Sequence, residues 1–223
     1  MEAQKIIIPT GETSVSGLFV RPREAKALFL FAHGAGVGMA HPGMEANARG
    51  LADRRIATLR YQFPYMERGG GRPDPPKVAH STVRAAAAMA VNLAGDLPLF
   101  AGGRSYGGRM TSQAQAIAPI AGVRGLLFLG FPLHLAGAPS SERADHLADV
   151  QVPMLFLSGD RDALAEISLL RAIVQRLGDR AELFVVRDGD HGLRVPARSG
   201  RTSEDVQAEA LDRAAGWIEE RLT

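Results

Sequence analysis

The amino-acid sequence predicts an α/β protein built on a doubly wound, mostly parallel sheet with helices on both faces. Short apolar runs alternate with longer segments in which apolar residues recur at helical spacing, which is the order that βαβ units produce. Residues 27–32 are apolar throughout (Ala-Leu-Phe-Leu-Phe-Ala), as expected of a strand buried on both faces of a parallel sheet. The crossovers between such strands are expected to be right-handed.

The predicted elements follow one another along the whole chain. Residues 4–8 and 13–20 are predicted as an antiparallel pair, because Pro9-Thr10-Gly11 between them is typical of a turn. The other predicted strands cover residues 27–32, 56–61, 97–101, 125–129, 152–157 and 181–186. The predicted helices cover residues 42–55, 78–93, 106–117, 164–177 and 203–222, with Pro42 in a first turn and Ser203 as an N-cap.

Length and composition predict one globular domain that spans residues 1–223 and has a full-sized core. The chain has 223 residues, of which 46% are hydrophobic. The net charge is only +2 although the calculated pI is 9.3, because basic residues are scattered among nearly as many acidic ones. We therefore expect no nucleic-acid partner. The absence of cysteine from the sequence excludes a disulfide framework and a Cys nucleophile.

The sequence indicates neither a secretory leader nor a membrane anchor. The apolar run Ile6-Ile7-Ile8 ends at Pro9, which makes it too short for the core of a signal peptide. The most apolar stretch, residues 114–131, is interrupted by polar residues and a proline. These observations predict a cytoplasmic protein without a membrane partner, and they leave its oligomeric state open.

The most informative motif is Gly103-Arg104-Ser105-Tyr106-Gly107, which lies between a predicted strand and a predicted helix. Gly-x-Ser-x-Gly on a strand-to-helix turn exposes a serine hydroxyl at the carboxyl edge of a parallel sheet. The glycines have a steric function, because neighbours without a Cβ let the strand and the helix pass closely around a strained residue. We therefore predict Ser105 as a nucleophile.

A serine nucleophile requires a base and an orienting acid, which follow it in the order acid, then histidine, on loops after later strands. His191 follows the last predicted strand, and we predict it as the base. Asp162 and Asp160 both follow the preceding strand. Asp162 is favoured because it lies far enough past the strand end to turn back towards His191, whereas Asp160 could cap the turn. Asp188 and Asp190 are more distant alternatives, because their closeness to His191 in sequence makes it awkward for them to orient its ring.

The same chemistry requires backbone N–H donors for the oxyanion that develops on the attacked carbonyl. The N–H of Tyr106 is one predicted donor, because it follows the nucleophile at a helix amino terminus, where the dipole favours negative charge. The other predicted donor is the N–H of Ala35 in His33-Gly34-Ala35-Gly36, where small residues allow a close approach to the substrate. The alternative for these glycines is a plain strand-to-helix turn.

Five segments together carry a resemblance to a known family. They are Phe31-Ala32-His33-Gly34-Ala35-Gly36, Gln62-Phe63-Pro64-Tyr65, Gly102-Gly103-Arg104-Ser105-Tyr106-Gly107-Gly108-Arg109-Met110, Gly130-Phe131-Pro132-Leu133-His134 and Ser158-Gly159-Asp160-Arg161-Asp162. In these segments the chain resembles the α/β-hydrolases of the dienelactone-hydrolase-like group, and within that group the KANL3/Tex30-like hydrolases.

The resemblance implies an α/β-hydrolase fold and a triad of Ser105, Asp162 and His191. It also implies that Tyr65 and His134 lie near the site, and together with His33 they are the candidate pocket residues. Tyr106 departs from the pattern, because this group is expected to have methionine there. Residues 130–151 leave little room for an inserted helical lid, so a site open to small substrates is expected.

These observations predict a serine hydrolase that cleaves a carboxylic ester or related acyl bond of a small-molecule substrate, without a metal or an organic cofactor. Two alternatives stay open. One is an acyltransferase that uses the same triad. The other is a non-catalytic scaffold, since the resembling proteins include a subunit of a chromatin histone-acetyltransferase complex.

Three weaker signals each have a simpler interpretation. Residues 34–39 are glycine-rich but have Met39 where a dinucleotide-binding loop requires its third glycine. Asp145, His146 and Asp149 suggest a metal site less well than a solvated helix face. Arg104 and Arg109 could recognise an acidic substrate, although arginines at helix starts are more often ordinary surface residues.

Overall fold

The computed structural model, which describes residues 2–222, contains one eight-stranded sheet in the order β1-β2-β4-β3-β5-β6-β7-β8. β1 pairs antiparallel with β2 and β2 with β4, while every other neighbouring pair is parallel. The predicted doubly wound, mostly parallel sheet is therefore confirmed. The strands are β1 (Gln4–Pro9), β2 (Ser14–Val20), β3 (Ala27–Ala32), β4 (Ile56–Tyr61), β5 (Leu99–Arg104), β6 (Val123–Leu129), β7 (Met154–Gly159) and β8 (Ala181–Val186).

Helices cover both faces of this sheet, as the alternation of side chains along the central strands requires. In β3, Ala27, Phe29 and Phe31 belong to one buried cluster, and Leu28, Leu30 and Ala32 belong to the other. Side chains of α1 and α6 belong to the same cluster as Phe29, and side chains of α3, α4 and α5 belong to the same cluster as Leu30. The helices are α1 (Pro42–Asp53), α2 (Pro64–Glu67), α3 (Pro76–Ala94), α4 (Tyr106–Ile117), α5 (Ile167–Leu177) and α6 (Ser203–Glu219).

Side-chain hydrogen bonds at the helix starts, most of them local, move the predicted beginnings of α5 and α6. The prediction of Ser203 as an N-cap is wrong: Thr202 caps α6, accepting a hydrogen bond from Asp205 N, while the Asp205 carboxylate accepts one from Thr202 N. α5 begins at Ile167 rather than at residue 164, because backbone N–H groups before it donate to the side chains of Asp162 and His134 instead.

The connection between β6 and β7 leaves the carboxyl edge of the sheet without an inserted lid. Between residues 130 and 153 it contains a single 3₁₀ helix, Glu142–Asp149. Asp145 and Asp149 are exposed there, as expected of a solvated helix face. His146 differs from this expectation, because it is half-buried and hydrogen-bonded to the Ser112 hydroxyl. Among residues 2–222, no group of three potential ligand side chains could hold a metal ion.

Within the described part of the chain, no helix combines the length and the apolar character needed to cross a membrane.

The turn between β5 and α4 lies against the backbone of β3. A Cβ at Gly103, where φ is +155°, would lie 2.3 Å from Ala32 O, and a Cβ at Gly107 would lie 2.5 Å from His33 O. Both distances are shorter than the contacts that Cβ atoms make in proteins. In both cases the contacted atom belongs to the backbone, which cannot move aside as a flexible side chain can. Glycine at these two positions therefore allows β5 and α4 to pass next to β3.

Two buried histidines connect loops at the carboxyl edge of the sheet. The His33 ring lies within hydrogen-bond distance of Gly34 O through Nδ1 and accepts from Phe63 N through Nε2. His134 repeats this pattern, with Nδ1 near Leu135 O and Nε2 accepting from Glu166 N. Because Nε2 accepts, each neutral ring carries its proton on Nδ1 and donates it to the carbonyl. Each histidine thus joins its own loop to the loop that follows another element.

Replacing Gly107 with alanine is expected to destabilise the protein, because the added methyl group meets the β3 backbone. Overpacking of this kind costs about 1 to 3 kcal/mol, which lowers Tm by roughly 2 to 12 °C for a chain of this size. Thermal unfolding of Gly107→Ala measures the effect. Gly216→Ala in α6 is the matched control, since its Cβ enters open space and should leave Tm unchanged or raise it. Equal Tm values for the two variants would contradict the steric argument.

Stability is expected to fall in mild acid, partly because of His33. Burial lowers the pKa of its ring from 6.5 to about 4. Between these two values the unfolded chain binds the proton and the folded chain does not, so the free energy of unfolding decreases as pH falls from 6.5 to about 4. A gap of this size corresponds to about 3 kcal/mol. Urea unfolding at several pH values should show a shallower decrease for His33→Gln, whose amide does not titrate, than for the wild type. An unchanged slope would show that His33 is not the buried neutral group.

Candidate active site

Ser105 lies at the sharp turn between β5 and α4, in a backbone conformation that serine seldom adopts. Its φ and ψ are +49° and −117°. Its N–H donates to Leu129 O at 3.2 Å, and its carbonyl accepts from Arg109 N at 3.1 Å. A non-glycine residue with positive φ costs about 1 to 3 kcal/mol and persists only where the surrounding structure determines it. Here the adjoining strand and helix impose the turn and present the hydroxyl at the sheet edge.

Ser105, His191 and Asp162 form a continuous chain of hydrogen bonds. Ser105 Oγ lies 2.8 Å from His191 Nε2, and His191 Nδ1 lies 2.8 Å from Asp162 Oδ2. Because a carboxylate only accepts, the imidazole carries its proton on Nδ1, and Nε2 is left to accept from the serine hydroxyl. A general base needs this arrangement in order to remove a proton from the hydroxyl.

The loop after β7 holds the Asp162 carboxylate in place. Its second oxygen, Oδ1, accepts from Leu164 N at 2.8 Å, and the side chain is completely buried. Arg161 N donates to Gly189 O at 2.9 Å, which ties this loop to the one that carries His191. Asp160, the alternative acid, has an exposed side chain. The carboxylate that reaches the imidazole is therefore that of Asp162.

The other two acidic alternatives are placed elsewhere. Asp190 Oδ1 accepts from the N–H groups of Gly192 and Arg194, so this carboxylate shapes its own loop. Asp188 is a turn residue with φ of +60°. His191 itself packs against Gly130, where a Cβ would lie 2.7 Å from His191 O and 3.3 Å from its ring. The loop after β6 therefore requires glycine at position 130.

The two predicted oxyanion donors belong to segments next to Ser105: Tyr106 follows it in the chain, and Ala35 lies on the loop after β3. Tyr106 is the first residue of α4, so its N–H has no acceptor within the helix. Among residues 2–222, the N–H of Ala35 also has no acceptor. Gly34, which precedes Ala35, lies beside the nucleophile, because a Cβ there would be 3.8 Å from Ser105 Cβ.

Three side chains from β4 and the segment after it hold the loop that contains Ala35. The Tyr65 hydroxyl donates to Ala35 O at 2.8 Å. Gln62 Oε1 accepts from Met39 N, and Arg60 Nη1 donates to Met39 O, both at 2.9 Å. The roles of Gln62 and Arg60 were not predicted from the sequence, because nothing in the local pattern indicates a partner more than twenty residues away. Gln62 was, however, part of a segment that carried the resemblance.

The three candidate pocket residues lie beneath the site rather than around an open space. His33, Tyr65 and His134 are all buried. Their polar side-chain atoms contact backbone groups of neighbouring loops. As placed, they position the loops of the site, and their contribution to a substrate pocket stays a prediction.

Tyr106, at the position where methionine was expected, extends an aromatic cluster next to Ser105 in the chain. Its ring packs edge-on against Phe63 and Tyr65, with centroids 5.3 and 6.3 Å away. Burial raises the pKa of its phenol to about 12, so the hydroxyl stays protonated at neutral pH. The residue therefore contributes a rigid, uncharged wall next to Ser105.

Solved structures of several hydrolases are similar to this chain over nearly its whole length. A dienelactone hydrolase from Anabaena variabilis is 20% identical, with a TM-score of 0.79 over 100% of both chains. The esterase domain of a Rhodothermus marinus protein is 15% identical, with a TM-score of 0.74 over 100% of both chains. An α/β serine hydrolase without a lid from Xanthomonas campestris is 17% identical, with a TM-score of 0.73 over 97% of this chain and 95% of that one. At these identities the likeness shows the fold.

A family model described as an alpha/beta hydrolase domain matches residues 25–219. The match covers all of the parallel strands and every loop that carries Ser105, Asp162 or His191. Fold, strand order and family model agree, and the chain belongs to the alpha/beta hydrolase family.

Proposed function

We propose that this protein is a serine hydrolase that cleaves a carboxylic ester or related acyl bond through an acyl-enzyme. The observation that carries the proposal is the hydrogen-bonded chain from Asp162 through His191 to Ser105, with both distances at 2.8 Å. This arrangement has the nucleophile, the base and the orienting acid in the roles that acyl transfer requires.

In the first half of the proposed reaction, Ser105 Oγ attacks the substrate carbonyl carbon and its proton passes to His191 Nε2. The buried Asp162 carboxylate stabilises the resulting imidazolium through Nδ1. The carbonyl oxygen becomes an oxyanion, and the N–H groups of Tyr106 and Ala35 are the proposed donors to it. The tetrahedral intermediate collapses when His191 gives its proton to the leaving alcohol, which leaves Ser105 acylated.

In the second half, water replaces the alcohol. His191 removes a proton from the water as it attacks the acyl carbon, and then returns the proton to Ser105 Oγ as the carboxylic acid leaves. These steps need only side chains of this protein, its backbone N–H groups and water. An acyltransferase differs from this scheme only in the acceptor, which is an alcohol or amine instead of water.

The relatives support an ester substrate, and the triad geometry argues against the scaffold alternative. Similar structures include proteins named as a dienelactone hydrolase and as an esterase domain. A scaffold does not need a strained serine turn aligned with a histidine and a buried aspartate, and such strain persists mainly where function uses it. We also propose, from the five resembling segments, that the chain belongs to the KANL3/Tex30-like subgroup.

A fluorophosphonate probe is expected to label the wild-type protein at Ser105, because it reacts with activated serines. Ser105→Ala should abolish labelling by removing the nucleophile, and His191→Ala should reduce it at least a hundredfold by removing the base. Gel fluorescence together with mass spectrometry of the labelled peptide measures both effects. Circular dichroism confirms that the variants are folded. A folded wild type that is not labelled would favour the scaffold.

Replacing Asp162 with asparagine should lower kcat by roughly 10³- to 10⁴-fold, because the amide no longer holds the imidazole in the required tautomer. Asp160→Asn is the matched control, two residues away on the same loop but exposed, and it should change kcat less than twofold. Hydrolysis of a short 4-nitrophenyl ester provides the measurement. A larger loss of kcat in Asp160→Asn than in Asp162→Asn would show that Asp160, and not Asp162, is the orienting acid.

A further inference from the structure

Arg104, the residue directly before the nucleophile, has a half-buried guanidinium without a counter-ion in contact. Among residues 2–222 its side chain has neither an ion-pair partner nor a hydrogen-bond acceptor. Burial and then the charge of Arg194 lower its pKa, so the folded protein holds a cation under unfavourable conditions. Five N–H donors without acceptors in partly buried surroundings are costly unless water or an anion binds them.

A second guanidinium converges on the same place. A Cβ on Gly192 would lie 3.1 Å from Arg104 Nη2, 3.1 Å from Arg194 Nε and 3.0 Å from Asp190 Oδ1. The missing side chain at Gly192 therefore leaves room for both cations next to His191. Asp190 Oδ2 lies 3.3 Å from Arg194 Nη2 and partly neutralises that residue, whereas Arg104 stays unpaired.

Both guanidinium groups line a cavity of about 510 Å³. It lies on the face of the sheet covered by α1 and α6. Its lining is partly apolar and partly polar: it includes Leu129, Leu193 and Ala210, but also Asn47, Gln207 and the carboxylate of Glu204. Arg104 and Gly192, which also line it, are the chain neighbours of Ser105 and His191. Two guanidinium groups against one carboxylate leave the lining with a net positive charge, which suits a short substrate chain that ends in an anionic group.

We propose that this cavity binds an anionic group of the substrate, a carboxylate or a phosphate, through the Arg104 guanidinium with support from Arg194. The inference rests on the proposed hydrolase function and specifies its substrate class. A planar guanidinium can bind either anion through two parallel hydrogen bonds, which fixes the orientation of the substrate as well as its charge. Arg104 is thereby a specificity-determining residue.

Direct binding tests the site without requiring catalysis. At constant ionic strength, calorimetric titration should detect glutarate or inorganic phosphate binding to the wild type, and should detect much weaker binding of neutral glutaramide. The anion that binds more tightly identifies the anionic group of the substrate as a carboxylate or a phosphate. Arg104→Gln is expected to weaken its binding at least tenfold. Arg187→Gln should have no effect, because this exposed arginine lies on the loop of His191 but outside the cavity.

A second variant keeps the test valid if Arg104→Gln fails to fold. Ser203 lines the cavity at the first turn of α6, where an aspartate is favourable for the helix. Ser203→Asp adds a negative charge to the cavity and should weaken anion binding severalfold while Arg104 is intact. Wild-type affinity for both anions in both variants, or no binding to the wild type, would overturn the proposal.

Kinetics separate this inference from the proposed function. The readout is the ratio of kcat/KM for 4-nitrophenyl hemiglutarate to that for neutral 4-nitrophenyl valerate. The ratio should exceed one in the wild type and fall at least tenfold in Arg104→Gln. A wild type that hydrolyses the neutral ester with a ratio below one, unchanged in Arg104→Gln, contradicts the anion site and leaves the hydrolase intact. Anion binding without any labelling of Ser105 contradicts the hydrolase and leaves the site intact.

Discussion

The contact between the backbone of β3 and the turn from β5 into α4 determines where Ser105, the proposed nucleophile, lies. At Gly103 and Gly107 the two segments approach to a distance that excludes even a methyl group. The approach forces Ser105, between them, into a left-handed conformation that points its hydroxyl away from the sheet. The same contact places the loop after β3, with Ala35, beside the serine. Nucleophile and proposed oxyanion donors are thus positioned by one steric constraint.

Around this contact, hydrogen bonds between loops set the distances within the site. His33 and Tyr65 connect the loop after β3 with the segment after β4, and His134 connects the loop after β6 with the segment after Asp162. Most of these bonds involve backbone N–H or C=O groups, whose positions follow from the strands they adjoin. Burial lowers the pKa of His33 and so keeps it neutral, which its role as an acceptor from Phe63 N requires. The loop after β3 is consequently joined to Phe63 by a ring that stays uncharged at neutral pH.

Charge is distributed unevenly at the same edge. The buried carboxylate of Asp162 accepts hydrogen bonds from His191 Nδ1 and from Leu164 N, so each of its oxygens has a donor. Arg104 lies close to these residues but contacts no carboxylate in the described part of the chain. If Arg104 served only the stability of the fold, an ion pair with a carboxylate would make the folded state more stable, since an unpaired charge partly removed from water is unfavourable. The unpaired guanidinium beside the nucleophile is therefore better explained by a ligand than by folding.

The sequence alone determined the sheet, the order of its elements and the residues of the candidate triad. Apolar runs and helical spacing are local signals, and β3, β4, β8 and α4 begin and end at the predicted residues. Chain order was enough to predict Ser105, His191 and the loop of the acid, because in a parallel sheet the carboxyl ends of the strands meet at one edge. It favoured Asp162 but left Asp160 open.

Tertiary structure alone decided the contacts between segments that are distant in sequence. It placed Asp162 rather than Asp160 against the imidazole, gave His33 and His134 roles in joining loops, and left Arg104 without a partner. It also contributed to the late start of α5, because Glu166 N donates to His134 of another loop, whereas Leu164 N donates to the nearby side chain of Asp162. The physical reason is that a hydrogen bond or ion pair depends on where two remote groups are brought together. Local patterns of polarity do not carry that information.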